Sequence, residues 1–196
     1  MDGIRLEQVC KSFGDKQVLQ DFSAEFPYGS VTTIMAPSGS GKTTLLRILM
    51  GLETIDKGQI SGLDGRKRSA VFQEDRLCKN LDAAANIRLV CPQRTWEEVE
   101  QSMEAVGLTC CSSQPVRELS GGMRRRVAIL RALLAEYDLL FLDEPFKGLD
   151  VATKEKVLED TKARCIGKTV ILVTHNREEA EAMGTAQFVE LGSSGL

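Results

Sequence analysis

The stretch "IMAPSGSGKTTLLRIL", Ile34–Leu49, decides the reading of this chain. An apolar run ends in a turn of small residues, and Leu45, Leu46, Ile48 and Leu49 then repeat at helical spacing up to a stop near Gly51. A strand, a glycine-rich turn and a helix in that order can aim several backbone N–H groups at one phosphate. Lys42 would neutralise the β- and γ-phosphates and Thr43 would hold Mg²⁺. The cradle predicted on this pattern is Ser38, Gly39, Ser40, Gly41, Lys42, Thr43 and Thr44. Ala36 stands where the motif has its first glycine, a departure that matters only if that backbone needs a positive φ or a very close approach. By itself the pattern also describes a glycine-rich turn with no ligand.

Upstream, "IRLEQV" and "VLQDFSAEF" alternate as strands, with Phe22, Ala24 and Phe26 in step, and "PYGS" marks a turn before "VTTIM". Downstream, the glycine-rich and charged "GLETIDKGQISGLDGRKRSAVFQE" predicts short hairpin strands ending in "SAVFQ". From Asp75 to about Leu119 the chain reads helical and more polar. Thr95 and Glu98 form a capping box there, and Trp96, Val99, Met103 and Val106 read as the core face of one helix. "SGGMRRRVAILRALLAEY" predicts another helix, "DLLFLDEP" a buried parallel strand, "VATKEKVLEDTKARC" a helix and "TVILVTH" a second buried strand. Strands and helices that alternate in this way predict a mostly parallel α/β sheet.

Composition narrows the possible functions. With 196 residues, 42% hydrophobic and 27% charged, the chain can bury a real core as one domain. A balance of 25 basic against 28 acidic residues, net −3, gives no bulk attraction to nucleic acid or anionic lipid, and Arg124-Arg125-Arg126 is too short a run to change that. No apolar span approaches the roughly 20 residues needed to cross a bilayer, and "MDGIRLEQVC" lacks the apolar centre of a secretory signal, so a cytoplasmic protein is expected. Its six cysteines are expected to be free thiols, with Cys110 and Cys111 buried or half-buried, and the one histidine leaves little material for a zinc site.

Three further groups carry chemistry. Strand ends form the binding crevice of an open α/β sheet, so Asp143 and Glu144 at the end of "LLFLDE" would emerge beside the phosphate loop. There Asp143 can support Mg²⁺ and Glu144 can polarise an attacking water, although paired acids at a strand end are also common as a solvated turn. His175 ends "TVILVTH" and would reach the same crevice to donate to a γ-phosphate; a lone histidine is otherwise an ordinary surface residue. Ser120, Gly121 and Gly122 open a helix and form a second place where free N–H groups and the helix dipole favour an anion.

Taken in order, "APSGSGKTT", "FQED", "LSGGM", "LLFLDEP", "KGLD" and "VTH" make the chain resemble the nucleotide-binding subunit of an ATP-binding cassette (ABC) transporter over nearly its whole length. The resemblance implies a P-loop NTPase α/β core with an N-terminal antiparallel β-subdomain and a helical subdomain inserted at about 75–125, all in one domain, 1–196. It implies a head-to-tail homodimer in which each ATP lies between one copy's phosphate loop and the other copy's Ser120 to Met123 segment. In that arrangement Gln73 contacts Mg²⁺ and water, Asp143 supports the metal, Glu144 is the catalytic base and His175 senses the γ-phosphate. Asp150 in "KGLD" would communicate across the interface, and Phe13 would stack on adenine. Met123 departs from the signature's commoner glutamine without removing a charged group.

Within the family, "VFQEDRLCKNLDAAANI" and "LSGGMRRRVAILRALL" look most like importers of the nitrate, sulfonate and taurine type. The partners then implied are integral membrane permease subunits and a solute-binding protein, on the cytoplasmic face of the cell membrane, with Gln73 to Leu89 forming the groove that receives a permease helix. Leu77, Leu81, Ile87 and Leu89 read equally well as packing residues. The rivals are an exporter subunit, a soluble ABC ATPase working on ribosomes or DNA, a small-molecule kinase and a cassette that binds ATP only as an assembly switch.

Overall fold

The computed structural model describes residues 3–37 and 39–191. Strands β1 (Gly3–Phe13) and β2 (Lys16–Pro27) pair antiparallel, Ile4 facing Phe26 and Leu6 facing Ala24, with register shifts after Leu6 that bend the ribbon. Next come β3 (Val31–Met35) and α1 (Lys42–Leu49), then β4 (Lys57–Ser61) and β5 (Arg68–Val71). Two short helices, α2 (Ala83–Arg88) and α3 (Trp96–Ala105), precede the long α4 (Gly121–Leu134). The chain then runs through β6 (Leu139–Asp143), α5 (Val151–Arg164), β7 (Thr169–Val173), α6 (Arg177–Ala182) and β8 (Gln187–Glu190).

Two sheets result: an antiparallel one in the order β2-β1-β4 and a parallel one in the order β5-β6-β7-β3-β8. The middle strands β6 and β7 are buried at every position, and apart from Asp143 and Thr169 at their ends they are apolar throughout. Their side chains alternate between two cores. Phe141, Ile171, Val173 and Ile34 meet Leu45, Leu46 and Leu49 of α1 and the inward residues of β1 and β2. On the opposite face, Leu140, Leu142, Val170 and Leu172 meet Val127, Leu130, Val157 and Leu158 from α4 and α5. Each such buried side chain contributes about 1.5–3 kcal/mol. In this order β5, β6, β7 and β3 are consecutive neighbours, so the segments leaving their C-terminal ends share one crevice. No helix among the described residues is long and apolar enough to cross a membrane.

Several local expectations are corrected. β4 and β5 form no hairpin, because β4 pairs with β1 and β5 joins β6 in the other sheet. Helix α4 stops at Leu134 where Ala135 turns extended, so that Asp138 can pair its backbone and carboxylate with Lys67. Between Asp75 and Leu119 only α2, α3 and one 3₁₀ turn at Val116–Glu118 are helical. The capping box of Thr95 and Glu98 is fully formed, and Val99, Met103 and Val106 are buried, but Trp96 is 51% exposed and lies under the Arg88 guanidinium. Ile87 is core and Leu77 packs against it, whereas Leu81 and Leu89 face outward. All six cysteines are free; Cys111 is buried, but Cys110 is exposed, held outward by a positive φ of 56°.

Candidate active site

The loop after β3 is built by backbone geometry. Gly39 and Gly41 have φ of 82° and 93°, a region closed to most residues with a β-carbon. A Cβ on Gly41 would also stand 2.8 Å from Val18 Cγ1, so β2 presses directly on the loop. Ala36 is not among the positive-φ residues; it packs against the core beside β3 and its carbonyl faces the loop mouth. Alanine there therefore leaves the loop intact. Lys42 Nζ donates to Ala36 O and Pro37 O, each at 2.6 Å, and Gly41 O accepts the first helical bond of α1 from Leu45. Ser40 Oγ is buried and finds no hydrogen-bond partner among the described residues. Ser38 lies outside the described residues.

Across from the loop, the exits of β6 and β7 supply the acids and the imidazole. Thr43 Oγ1 donates to Asp143 Oδ2 at 3.3 Å, joining α1 to the end of β6. Burial pushes the Asp143 carboxyl up from its ordinary value and the neighbouring Glu144 adds to this, while the Thr43 bond, Arg125 and Lys42 pull it down. Glu144 sits at φ 48°, a left-handed backbone unusual for glutamate, with its N–H bonded to Val173 O at 2.9 Å. His175 Nδ1 lies 2.9 Å from both Glu144 carboxylate oxygens. Its position rests on Thr174, whose hydroxyl donates to the buried Glu179 at 2.7 Å; Lys154 binds the other oxygen of that carboxylate.

These groups enclose one cleft of about 510 Å³, lined by Phe13, Gly39, Gly41, Lys42, Thr43, Thr44, Gln73, Asp143, Glu144 and His175 among others. Phe13 is half-exposed at its edge, with the Lys11 ammonium 5.0 Å from the ring centre and tied to Glu53 and Asp56 behind it. The residues fit a nucleotide triphosphate with a hard cation. An unpartnered hydroxyl and a lysine sit at the loop, oxygen donors sit on Thr43, Asp143 and Gln73, and an aromatic face stands at the rim.

Ser120, Gly121, Gly122 and Asp150 do not line this cleft. They form a separate group: Ser120 caps α4 by accepting from Met123 N, and Asp150 caps α5 by accepting from Thr153 N at 3.0 Å, a bond that holds the Asp150 carboxyl below its ordinary range. A Cβ on Gly122 would contact Leu149 and Gly148, so the two caps are neighbours.

One residue escaped the sequence reading. Arg125 passed there as part of a basic run, yet it is buried and its guanidinium reaches both the β5 and β6 exits. The signal was present: Arg125 falls four residues before Ile129 and seven before Ala132, on the apolar stripe of α4.

A phosphate loop on a central parallel strand, faced by acids from the neighbouring strand, defines a P-loop nucleotide-binding protein. Comparison with known proteins places it more closely. The model of the ABC transporter family matches residues 19–147, and the chain belongs to that family. It is 36% identical to the aliphatic sulfonates import ATP-binding protein SsuB 1 of Xanthomonas axonopodis pv. citri, over 98% of this chain and 82% of that protein. Against the sulfate/thiosulfate import ATP-binding protein CysA of Synechocystis sp. the identity is 37% over 98% of this chain, which spans only 58% of that relative's length. Among solved structures it is similar to the ATP-binding cassette MJ0796, a dimer in a post-hydrolysis state bound to ADP and phosphate, with a TM-score of 0.85, 26% identity, and coverage of 97% of this chain and 94% of that one.

Proposed function

We propose that this chain binds and hydrolyses ATP in the cleft and acts as a dimeric motor for solute import through separate membrane permease subunits. The observation that carries the reading is the meeting of Lys42, Thr43, Gln73, Asp143, Glu144 and His175 in one cleft from four consecutive strands. The backbone of Gly39 to Thr44, with the Lys42 ammonium, receives the phosphates, Ser38 belongs to the same loop, and Phe13 takes the adenine face. Thr43, Asp143 and Gln73 would hold Mg²⁺, which when bound neutralises charge on the β- and γ-phosphates. Glu144 accepts a proton from the attacking water, and His175, fixed beside it, donates to the γ-phosphate.

Head-to-tail dimerisation accounts for the second anion site. Ser120 to Gly122 and Asp150 do not line the chain's own cleft, and they sit at the capped start of α4 and of α5, where the helix dipole favours an anion. ATP shared between two copies binds the closed dimer more tightly than the open one, which is the differential affinity that mechanical coupling requires. The 75–125 segment serves as the subdomain facing the permease, and import follows the sulfonate and sulfate relatives. The chain then works as a peripheral protein on the cytoplasmic face, with a solute-binding protein upstream of the permease.

Purification of the tagged chain from its host in mild detergent, with mass spectrometry of what accompanies it, tests transport. A polytopic membrane protein encoded beside a solute-binding protein is the expected companion. Ribosomal or DNA-repair partners without a membrane subunit would overturn transport and leave the ATPase standing.

A further inference from the structure

Arg125 is the most heavily engaged buried cation among the described residues. Its Nε donates to Pro145 O at 2.8 Å and its Nη2 to Asp143 O at 2.9 Å and Glu144 O at 2.6 Å. Its Nη1 donates to Phe72 O and to Gln73 O at 3.4 Å. One side chain, 6% exposed, therefore ties five backbone carbonyls on two loops. The first loop carries Gln73 and the second carries Asp143 and Glu144. A guanidinium can do this because its donors form a rigid planar fork, which an ammonium or an amide cannot reproduce.

We propose that Arg125 is a positioning residue for hydrolysis: its guanidinium fixes the Gln73 and Glu144 backbones relative to one another while leaving the phosphate loop untouched. Glu144 holds a left-handed φ of 48°, a sparsely populated conformation that persists only when its surroundings over-determine it. Its N–H is held by Val173 O and its carbonyl by Arg125, so loss of Arg125 frees one side of a strained peptide and lets the carboxylate turn from the water it must meet. None of the carbonyls it engages belongs to residues 36–44. Hence the role separates turnover from the phosphate loop's hold on the nucleotide. Arg125 also stands in the second turn of α4, whose cap is Ser120, so the clamp links both loops to the element that would meet the partner's nucleotide.

This inference rests on the ATPase reading, and the test keeps the two apart. Phosphate release is measured for the wild type, Arg125→Gln, Glu144→Gln and the double variant, with thermal melting to establish folding and a fluorescent ATP analogue to measure binding. Arg125→Gln should lower kcat about 10–100-fold with KM and analogue affinity within about threefold of wild type, the range seen when a supporting partner of a site residue is lost. In the Glu144→Gln background the same change should cost much less than in the wild type, because residues acting as one unit are not additive. Should Gln at this buried position not fold, Arg125→Lys, which keeps the charge without the fork, carries the same cycle. Turnover within threefold of wild type, a rise in KM at unchanged kcat, or fully multiplicative losses would each overturn the positioning role. A wild type that releases no phosphate from ATP would instead overturn the ATPase reading, and the clamp with it.

Discussion

Glu144→Gln isolates proton transfer from everything else the cleft does. The replacement has the same shape, and the backbone it sits on is pinned by Val173 O and by Arg125, so Gln inherits the same place. Its amide oxygen can still accept from His175 Nδ1, which lies 2.9 Å from both carboxylate oxygens, so the imidazole keeps its pose. What disappears is a group able to take a proton from water. General-base assistance contributes about 10²–10⁴ in rate, equivalent to about 3–5 kcal/mol of barrier. Binding should move the other way: the Glu144 charge is one of the causes that raise Asp143, so its removal makes Asp143 a readier anion for Mg²⁺. The assay is phosphate release at saturating MgATP beside fluorescent-nucleotide affinity. The expected result is loss of turnover by at least about 10² with affinity equal to or tighter than wild type. Turnover within about threefold of wild type would refute Glu144 as the base, and a matching loss of affinity would refute the separation of charge roles.

Gly41→Ala should unfold the loop locally, because a positive φ and a Cβ 2.8 Å from Val18 Cγ1 act together. An expected loss of about 2–5 kcal/mol and of ATP binding is checked by denaturant melts and the same fluorescent analogue. Ser120→Arg should leave ATP binding to the monomer intact and abolish ATP-dependent dimerisation of a Glu144→Gln background; light scattering that still shows the dimer removes the sandwich arrangement. Asp143→Asn should raise the melting temperature in EDTA at pH 7.5 while abolishing Mg²⁺ dependence. Burial raises the Asp143 pKa in the folded state, so its contribution to stability is fully present below the ordinary aspartate value, about 3.9, and is lost as pH rises through the raised value. The advantage of Asn should therefore shrink as the pH falls; melting curves between pH 3.5 and 7.5 (spanning that ordinary value, roughly 3.9) decide it, and an Asn variant less stable at the upper end refutes it.

The cleft was legible in sequence to the extent that its residues stand at strand ends. Asp143 ends an apolar run, His175 stands just beyond another and Lys42 follows the glycine-rich turn after a third, so their places along the chain already bring them to one crevice. The Thr95–Glu98 capping box was equally legible, since its partners are three residues apart. Strand pairing was not. "KGQIS" and "RSAV" look like two arms of a hairpin, and only the competition between β1 and β6 for partners separates them into different sheets. Trp96 misled because helical spacing shows which residues share a face but not how far along the helix a neighbour reaches. The arginine run misled in the opposite sense. Neighbours on a helix point about 100° apart, so Arg124 bonds Leu119 O, Arg126 bonds Val106 O and Gly107 O, and Arg125 alone turns inward.

The two carbonyls that hold Lys42 bear on how quickly the cleft captures its ligand. A free lysine side chain gives up about 1.5–2 kcal/mol of rotamer entropy when it is fixed. Here the ammonium is already moored to Ala36 O and Pro37 O, so most of that loss falls on folding rather than on the encounter. An arriving triphosphate meets a stationary charge, and its capture is governed by diffusion and by the field at the loop mouth. Release then has to break contacts with the same moored cation.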